Sequence, residues 1–454
     1  MKKMPRHAVL IPLILLLLWT LFQSQNNFLE QNGRFLEAYR WQPWRVDLLE
    51  KAGLAAASGA DYQAAIDLLL QARQRNALSL AGQQALAEAY LQTGQADLAL
   101  NEFEQLVDGQ AASPEVLLQM ARLYHRRAEF HREAEIATLG ASLAPDVAEF
   151  HWRFGLLKMA EAPLEAYPFL ERVQALSPSP GYPARDLILV LDRASLVDSQ
   201  SYRWTLSAQA LASLGEWLLA RQALERAVAF DPAYAPAWAL LGEARQQTGV
   251  ADSLPALEKA LQLDPASASA YAYLGLYWQR QQDFIRAEQA FQRATALEPD
   301  NPYWLFNLGE LALSRGQVPV AHAYFLQAVR VAPESALAWR ALALFCLQTE
   351  GCLREDGLPA ALKARNLAPD DWTSAETLGR VLMALGEEDS ALALLARAVA
   401  MAPAESSPRF HLGLLYLRQG NPRLARQTLQ EALALDPEGP LAETIRAVLA
   451  RYLP

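Results

Sequence analysis

Cysteine, histidine and net positive charge are all scarce in this chain. Its only two cysteines are Cys346 and Cys352, and its six histidines, His7, His125, His131, His151, His322 and His411, are scattered. Two thiols exclude a disulfide framework and any set of four zinc ligands at finger-like spacing. No histidine stands near the cysteines in sequence, so no metal site is expected. Lys and Arg number 40 against 50 Asp and Glu, a formal net charge of −10. No overall positive field therefore attracts phosphates, and nucleic acid is not an expected partner. HExxH, P-loop, GxSxG and dinucleotide fingerprints are missing where a strand and helix would support them, and no strand pattern is evident. Carboxylate pairs such as Glu387 and Glu388 fall at polar turns. The expectation is a non-enzymatic protein without catalytic residues, cofactor or small-molecule substrate.

One long apolar run is present. Lys2, Lys3 and Arg6 precede Ala8 to Phe22, 15 uncharged residues reading AVLIPLILLLLWTLF. A transmembrane helix usually needs about 20 residues, and the run also fits the apolar region of a signal peptide. Phe22 to Asn26 lacks the alternating small residues of a cleavage site. A retained anchor is the expectation: residues 1–7 cytoplasmic, 8–23 transmembrane with Trp19 interfacial, and the remainder extracytoplasmic in a single-pass cell-membrane protein. In 24–45, Phe28, Leu29, Phe35, Leu36 and Tyr39 recur at helical spacing. This segment either lies against the bilayer or packs on Trp44 and Leu48 as a cap.

The dominant pattern is a ladder of prolines. Pro232, Pro265, Pro299, Pro333, Pro369, Pro403 and Pro437 follow at steps of 33, 34, 34, 36, 34 and 34 residues. Between two rungs, Tyr271, Leu274 and Trp278, then Phe284, Ala287, Phe291 and Ala294, recur at three- and four-residue steps on either side of the polar Gln281-Gln282-Asp283. That spacing predicts two antiparallel helices, with Gly275 crossing Ala287 where small side chains let the backbones approach. Proline then ends the second helix. Leu308, Gly309, Gly316, Ala321, Phe325, Ala328 and Pro333 repeat the pattern, as do the pairs Gly379 and Gly413, and Ala391 and Ala425. The fold class is all-α: about eleven stacked hairpins, none of which buries its apolar face without a neighbour.

On these residues the chain resembles the tetratricopeptide repeat family, in a membrane-anchored form of bacterial type. The resemblance implies an α-solenoid, a right-handed superhelix whose first helices line a groove for a peptide or protein. Carried over unit by unit, the groove face comprises Arg122, Trp152, Tyr202, Gln209, Glu243, Tyr273, Leu276, Tyr303, Phe306, Asn307, Glu310, Arg340, Arg380 and Phe410. The lysines and asparagines with which some members clamp a C-terminal carboxylate are absent; those positions hold Glu50, Leu54, Ala85 and Glu115. The expected partners are other proteins, and the expected role is a scaffold in envelope or polysaccharide assembly. The alternative is an accessory subunit of a membrane-bound enzyme complex. Separately, Arg122, His125 and Arg126 share one helical face, which either holds an acidic group or is solvated with Glu129 and Glu133 as partners.

Two departures interrupt the period. From Pro178 to Pro232 the step is 54 residues, so one helix is inserted. Its run Ala184 to Leu191 is strongly apolar and reads as buried. The array thus divides into 46–179, a joint at 180–200, 201–439, and a capping helix at 440–454 with Ile445, Val448, Leu449 and Tyr452. The second departure adds two residues around Cys346 and Cys352. Either a disulfide closes this enlarged turn, worth about 1–3 kcal/mol, or Cys346 is buried and Cys352 unpaired.

Overall fold

The structure is a computed structural model that describes residues 20, 23–177, 182–437 and 439–452. The expected anchor at 8–23 lies, apart from residues 20 and 23, outside the described residues. Among those described, no helix is long and apolar enough to cross a membrane. They contain no strand. The chain forms two compact units that divide between Phe154 and Gly155.

In the first unit, Phe35–Trp41 precedes three hairpins: Asp47–Ser58 with Tyr62–Gln74, Leu80–Gln92 with Ala96–Asp108, and Pro114–Arg126 with Phe130–Leu143. Leu29, Ala38 and Leu48 form a buried cluster with Phe35 and Tyr39 against it, so the segment before the first hairpin packs on that hairpin. Trp44, expected in this contact, is 67% exposed. The main core joins Leu69, Leu86, Phe103, Leu117, Met120 and Phe150.

The second unit contains Tyr167–Leu176, a helix at Ala184–Ser195, and then paired helices. These are Gln200–Ser213 with Trp217–Phe230, Ala235–Gln247 with Ser253–Leu263, Ala268–Arg280 with Phe284–Leu297, and Pro302–Ser314 with Val318–Val331. Ala336–Thr349 with Leu358–Leu367, Trp372–Leu385 with Glu388–Met401, and Ser406–Arg418 with Pro422–Leu435 follow, and Ala442–Tyr452 comes last. Ile445 of this last helix is fully buried on Phe410, Ala425, Leu429 and Ala432. The Ala184–Ser195 helix is amphipathic rather than buried all round. Leu187, Leu191 and Ala194 are buried, but Leu189 is exposed. Its apolar run holds more leucine than one face needs.

Local chemistry explains the element ends. Ser199, Ser267, Ser335 and Asp371 cap their helices by accepting from backbone N–H groups of the first turn. Between the two helices of a hairpin the chain passes through a residue of positive φ: 60, 94 and 128 in the first unit, then 215, 249, 282, 316, 350, 386 and 420 in the second. Glycine occupies most of these positions, where L side chains are strained. At the start of a repeat, the indoles of Trp238 and Trp339 donate to the carbonyls of Pro232 and Pro333 at 2.9 and 2.7 Å. The neighbouring repeat end is thereby tied down.

The helix crossing brings a large side chain against the glycine as well as the expected alanine, Ala287. A Cβ on Gly275 meets the Phe291 ring at 2.5 Å, four residues further along. Gly309 faces Phe325, Gly379 faces Leu395 and Gly413 faces Leu429 in the same way. The small residue thus seats a large one, and at Gly379 the Ala391 carbonyl also comes within 3.5 Å. Gly309→Val should destabilise this repeat by about 1–3 kcal/mol through overpacking. Native-state hydrogen exchange will check it: protection should fall first in Pro302–Ser314 and Val318–Val331.

Candidate functional site

The surface offered by the first helices of the second unit is built from three kinds of contact. The first is a buried carboxylate joined to the next repeat. Glu243, 3% exposed, accepts from Arg280 on the following first helix at 2.7 and 3.0 Å, and from Gln247 at 2.8 Å. Glu376, 6% exposed, has His411 Nδ1 at 2.7 Å and accepts from Ser407 Oγ at 2.6 Å. Burial pushes the Glu376 carboxyl up, but the His411 and Ser407 contacts together with nearby positive charge hold it below its usual range. Arg340 is tied to Asp371 at 3.3 Å and to the Thr373 hydroxyl.

The second kind of contact is an aromatic cavity of about 130 Å³ on three successive first helices, lined by Tyr202, Leu206, Gln209, Tyr234, Leu240 and Tyr273. Burial, then the Glu243 charge, raises the Tyr273 phenol to about 12, and burial raises Tyr234. Both hydroxyls therefore stay protonated at neutral pH and can donate hydrogen bonds. The third is an open cavity of about 460 Å³ with Leu344, Leu347 and Met383 beside Arg380 and His411. Between the two cavities Tyr303 is 55% exposed, and Glu310 is exposed overall, with partial desolvation of its carboxyl raising its pKa.

The residues expected on the groove therefore separate by role. Tyr202, Gln209 and Tyr273 come together in one cavity, Arg380 lines another, and Tyr303 and Glu310 stand at the surface. Asn307 is half-buried. Glu243 and Phe410 are buried, Leu276 packs on the cluster of Phe291 and Leu308, and Phe306 stacks on Phe325 at 6.3 Å. Glu243, Leu276 and Arg340 join repeat to repeat, whereas Phe306 packs within its own hairpin and Phe410 packs on its partner helix and the last helix. In the first unit, Trp152 is half-buried and Arg122 forms a two-oxygen ion pair with Glu149 at 2.8 and 2.9 Å. His125 lies 2.8 Å from buried Glu133, which Arg153 also pairs at 3.0 Å, so this basic face is internally neutralised. Tyr234, Met383 and His411 were missed. Their signal is a side chain on a first helix, or just before it, one repeat from another member of the same surface.

Cys346 and Cys352 form a disulfide. His322, remote from both in sequence, comes from the second helix of the preceding repeat and lies within 4.8 Å of both sulfurs. Helix stacking brings together residues separated by 24 positions.

Residues 279–345 and 363–449 match one tetratricopeptide repeat family model, and residues 243–302 match a second. With the paired helices above, the chain is an all-helical solenoid containing tetratricopeptide repeats. Over 167 residues, 33% of this chain, it is 31% identical to "Cellulose synthase 2 operon protein C" of Komagataeibacter xylinus. The match spans 13% of that relative's length. Among solved structures, yeast Tom70 aligns at 15% identity over 95% of this chain and 94% of its own, with a TM-score of 0.47. Pseudomonas aeruginosa pilF aligns at 21% identity over 48% of this chain and 98% of its own, with a TM-score of 0.37.

Because its pKa is depressed in the folded state, Glu376 contributes stability that is present above its unfolded value near 4.5 and is lost as pH falls through the folded value. Glu376→Gln should cost about 1–2 kcal/mol at pH 7. That difference from the wild type should shrink as pH drops below about 4.5, measured by urea unfolding at both pH values.

Proposed function

We propose that the protein is a non-enzymatic scaffold, anchored in the cell membrane through residues 8–23, whose extracytoplasmic repeats recruit partner proteins along their first-helix face. The observation that carries this reading is the Tyr202, Tyr234 and Tyr273 cavity. It offers aromatic walls and hydroxyl donors across three repeats, a combination suited to an apolar anchor on a peptide segment. The partially matched relative, named for a cellulose synthase operon, supports a setting in polysaccharide assembly. The same likeness favours a second reading, an accessory non-catalytic subunit of a membrane-bound synthase. Stoichiometric co-purification of an enzyme distinguishes the second from the first.

Partner recovery from solubilised membranes tests the surface. Tyr273→Ala or Arg380→Glu should reduce it at least about tenfold with helicity unchanged. Undiminished recovery with both variants removes the assignment of these cavities. Topology is checked separately. Protease added outside cells stripped of any outer barrier should digest the repeats, whereas protection would place them in the cytoplasm.

A further inference from the structure

The enlarged turn of the Ala336–Thr349 repeat holds more than a disulfide. One ligand atom from each of His322, Cys346 and Cys352 lies within 4.8 Å of the others. Cys346 is fully buried, Cys352 is 8% exposed, and the His322 ring stacks on Phe345 at 5.5 Å. His322 Nε2 is itself buried without a hydrogen-bond partner. It lies 2.9 Å from Asp356 Oδ2, at ion-pair distance. Asp356 belongs to the π-helical turn Leu353–Gly357, held by hydrogen bonds from the Asp356 and Gly357 N–H groups to the Cys352 carbonyl. One imidazole thus offers a ring nitrogen within 4.8 Å of two sulfurs and has a carboxylate beside its Nε2. Stacking of the two repeats fixes its position.

We propose that the reduced form of this turn is a zinc site with Cys346, Cys352 and His322 as ligands, and with Asp356 beside the imidazole. Two thiolates and an imidazole select zinc over magnesium or calcium, and a water completes its tetrahedral preference. Opening the disulfide takes two electrons and two protons from a dithiol reductant, which leaves as its own disulfide. Zinc then displaces one proton from each thiol. The sulfurs must settle about 3.8 Å apart, as tetrahedral Zn–S bonds of about 2.3 Å require. The turn's left-handed Glu350 and its π-helical segment are where the backbone can yield. The two states differ in what they join. The disulfide staples residues of one repeat, whereas the metal, through His322, clamps that repeat to the one before it.

The test is an anaerobic zinc titration of the full chain in detergent, competed against a chromogenic chelator. The chain is used as isolated, and after reduction by a water-soluble phosphine that is converted to its oxide. The reduced protein should take one equivalent at least about a hundredfold more tightly than the disulfide form, since ligand thiols must be free to ionise. Cobalt in place of zinc should give thiolate-to-metal charge-transfer absorption. His322→Phe preserves the ring on Phe345 and the ability to form the disulfide, yet should weaken binding at least about tenfold. Equal affinity of the oxidised and reduced chains would overturn the proposal. So would full affinity in His322→Phe, or cobalt spectra without a sulfur signature. Circular dichroism and thiol counting on each variant separate loss of the site from loss of fold.

Discussion

Close approach of two helices at a small residue, glycine in several repeats, is the constraint on which the stack rests. Gly275, Gly309, Gly379 and Gly413 each leave room for one large side chain from the partner helix, Phe291, Phe325, Leu395 and Leu429 respectively. These four large residues are almost entirely buried. The socket fixes where the two axes cross, and thereby which residues of the first helix remain to meet the next repeat. In a one-dimensional stack with no common core, this local geometry is propagated rather than averaged. A misfit in one socket is felt by the nearest neighbours, while distant repeats retain their contacts.

The polar chemistry follows from the same stacking. Among the described residues four glutamates are buried, Glu102, Glu133, Glu243 and Glu376, and each meets a cationic or imidazole group from another helix. A buried carboxylate left alone would be costly, so these pairs favour one register of helix on helix over others. They also consume charge that would otherwise be offered to a partner. What is left along the first-helix face of the second unit is aromatic and hydroxyl-rich, with Arg380, Tyr303 and Glu310 at intervals.

The hairpins were legible because a 34-residue period encodes a purely local object: two helices, a turn and a stop. Even there the Phe291 ring that fills the space at Gly275 is not evident from the pairing of small residues alone. The candidate surface was legible only as a set of positions. Whether Glu243 faces a ligand or Arg280 depends on how successive repeats are rotated, and no single repeat contains that information. His322 shows the same limit, since it is remote from both cysteines in sequence and adjacent to them only after stacking. The Ala184–Ser195 helix failed differently. Its apolar content concealed an ordinary two-faced pattern in which Leu187 and Leu191 point inward while Leu189 meets water.

The indoles of Trp238 and Trp339 are each hydrogen-bonded to the carbonyl that closes the preceding repeat. Indole emission responds to that bond and to the water around it, so each of these residues is a built-in optical gauge of one boundary in the stack. With 11 tryptophans in the chain, the bulk signal is a composite. Its red shift during unfolding is thus a sum of local partings along the array, and a single midpoint drawn through it would describe no individual repeat.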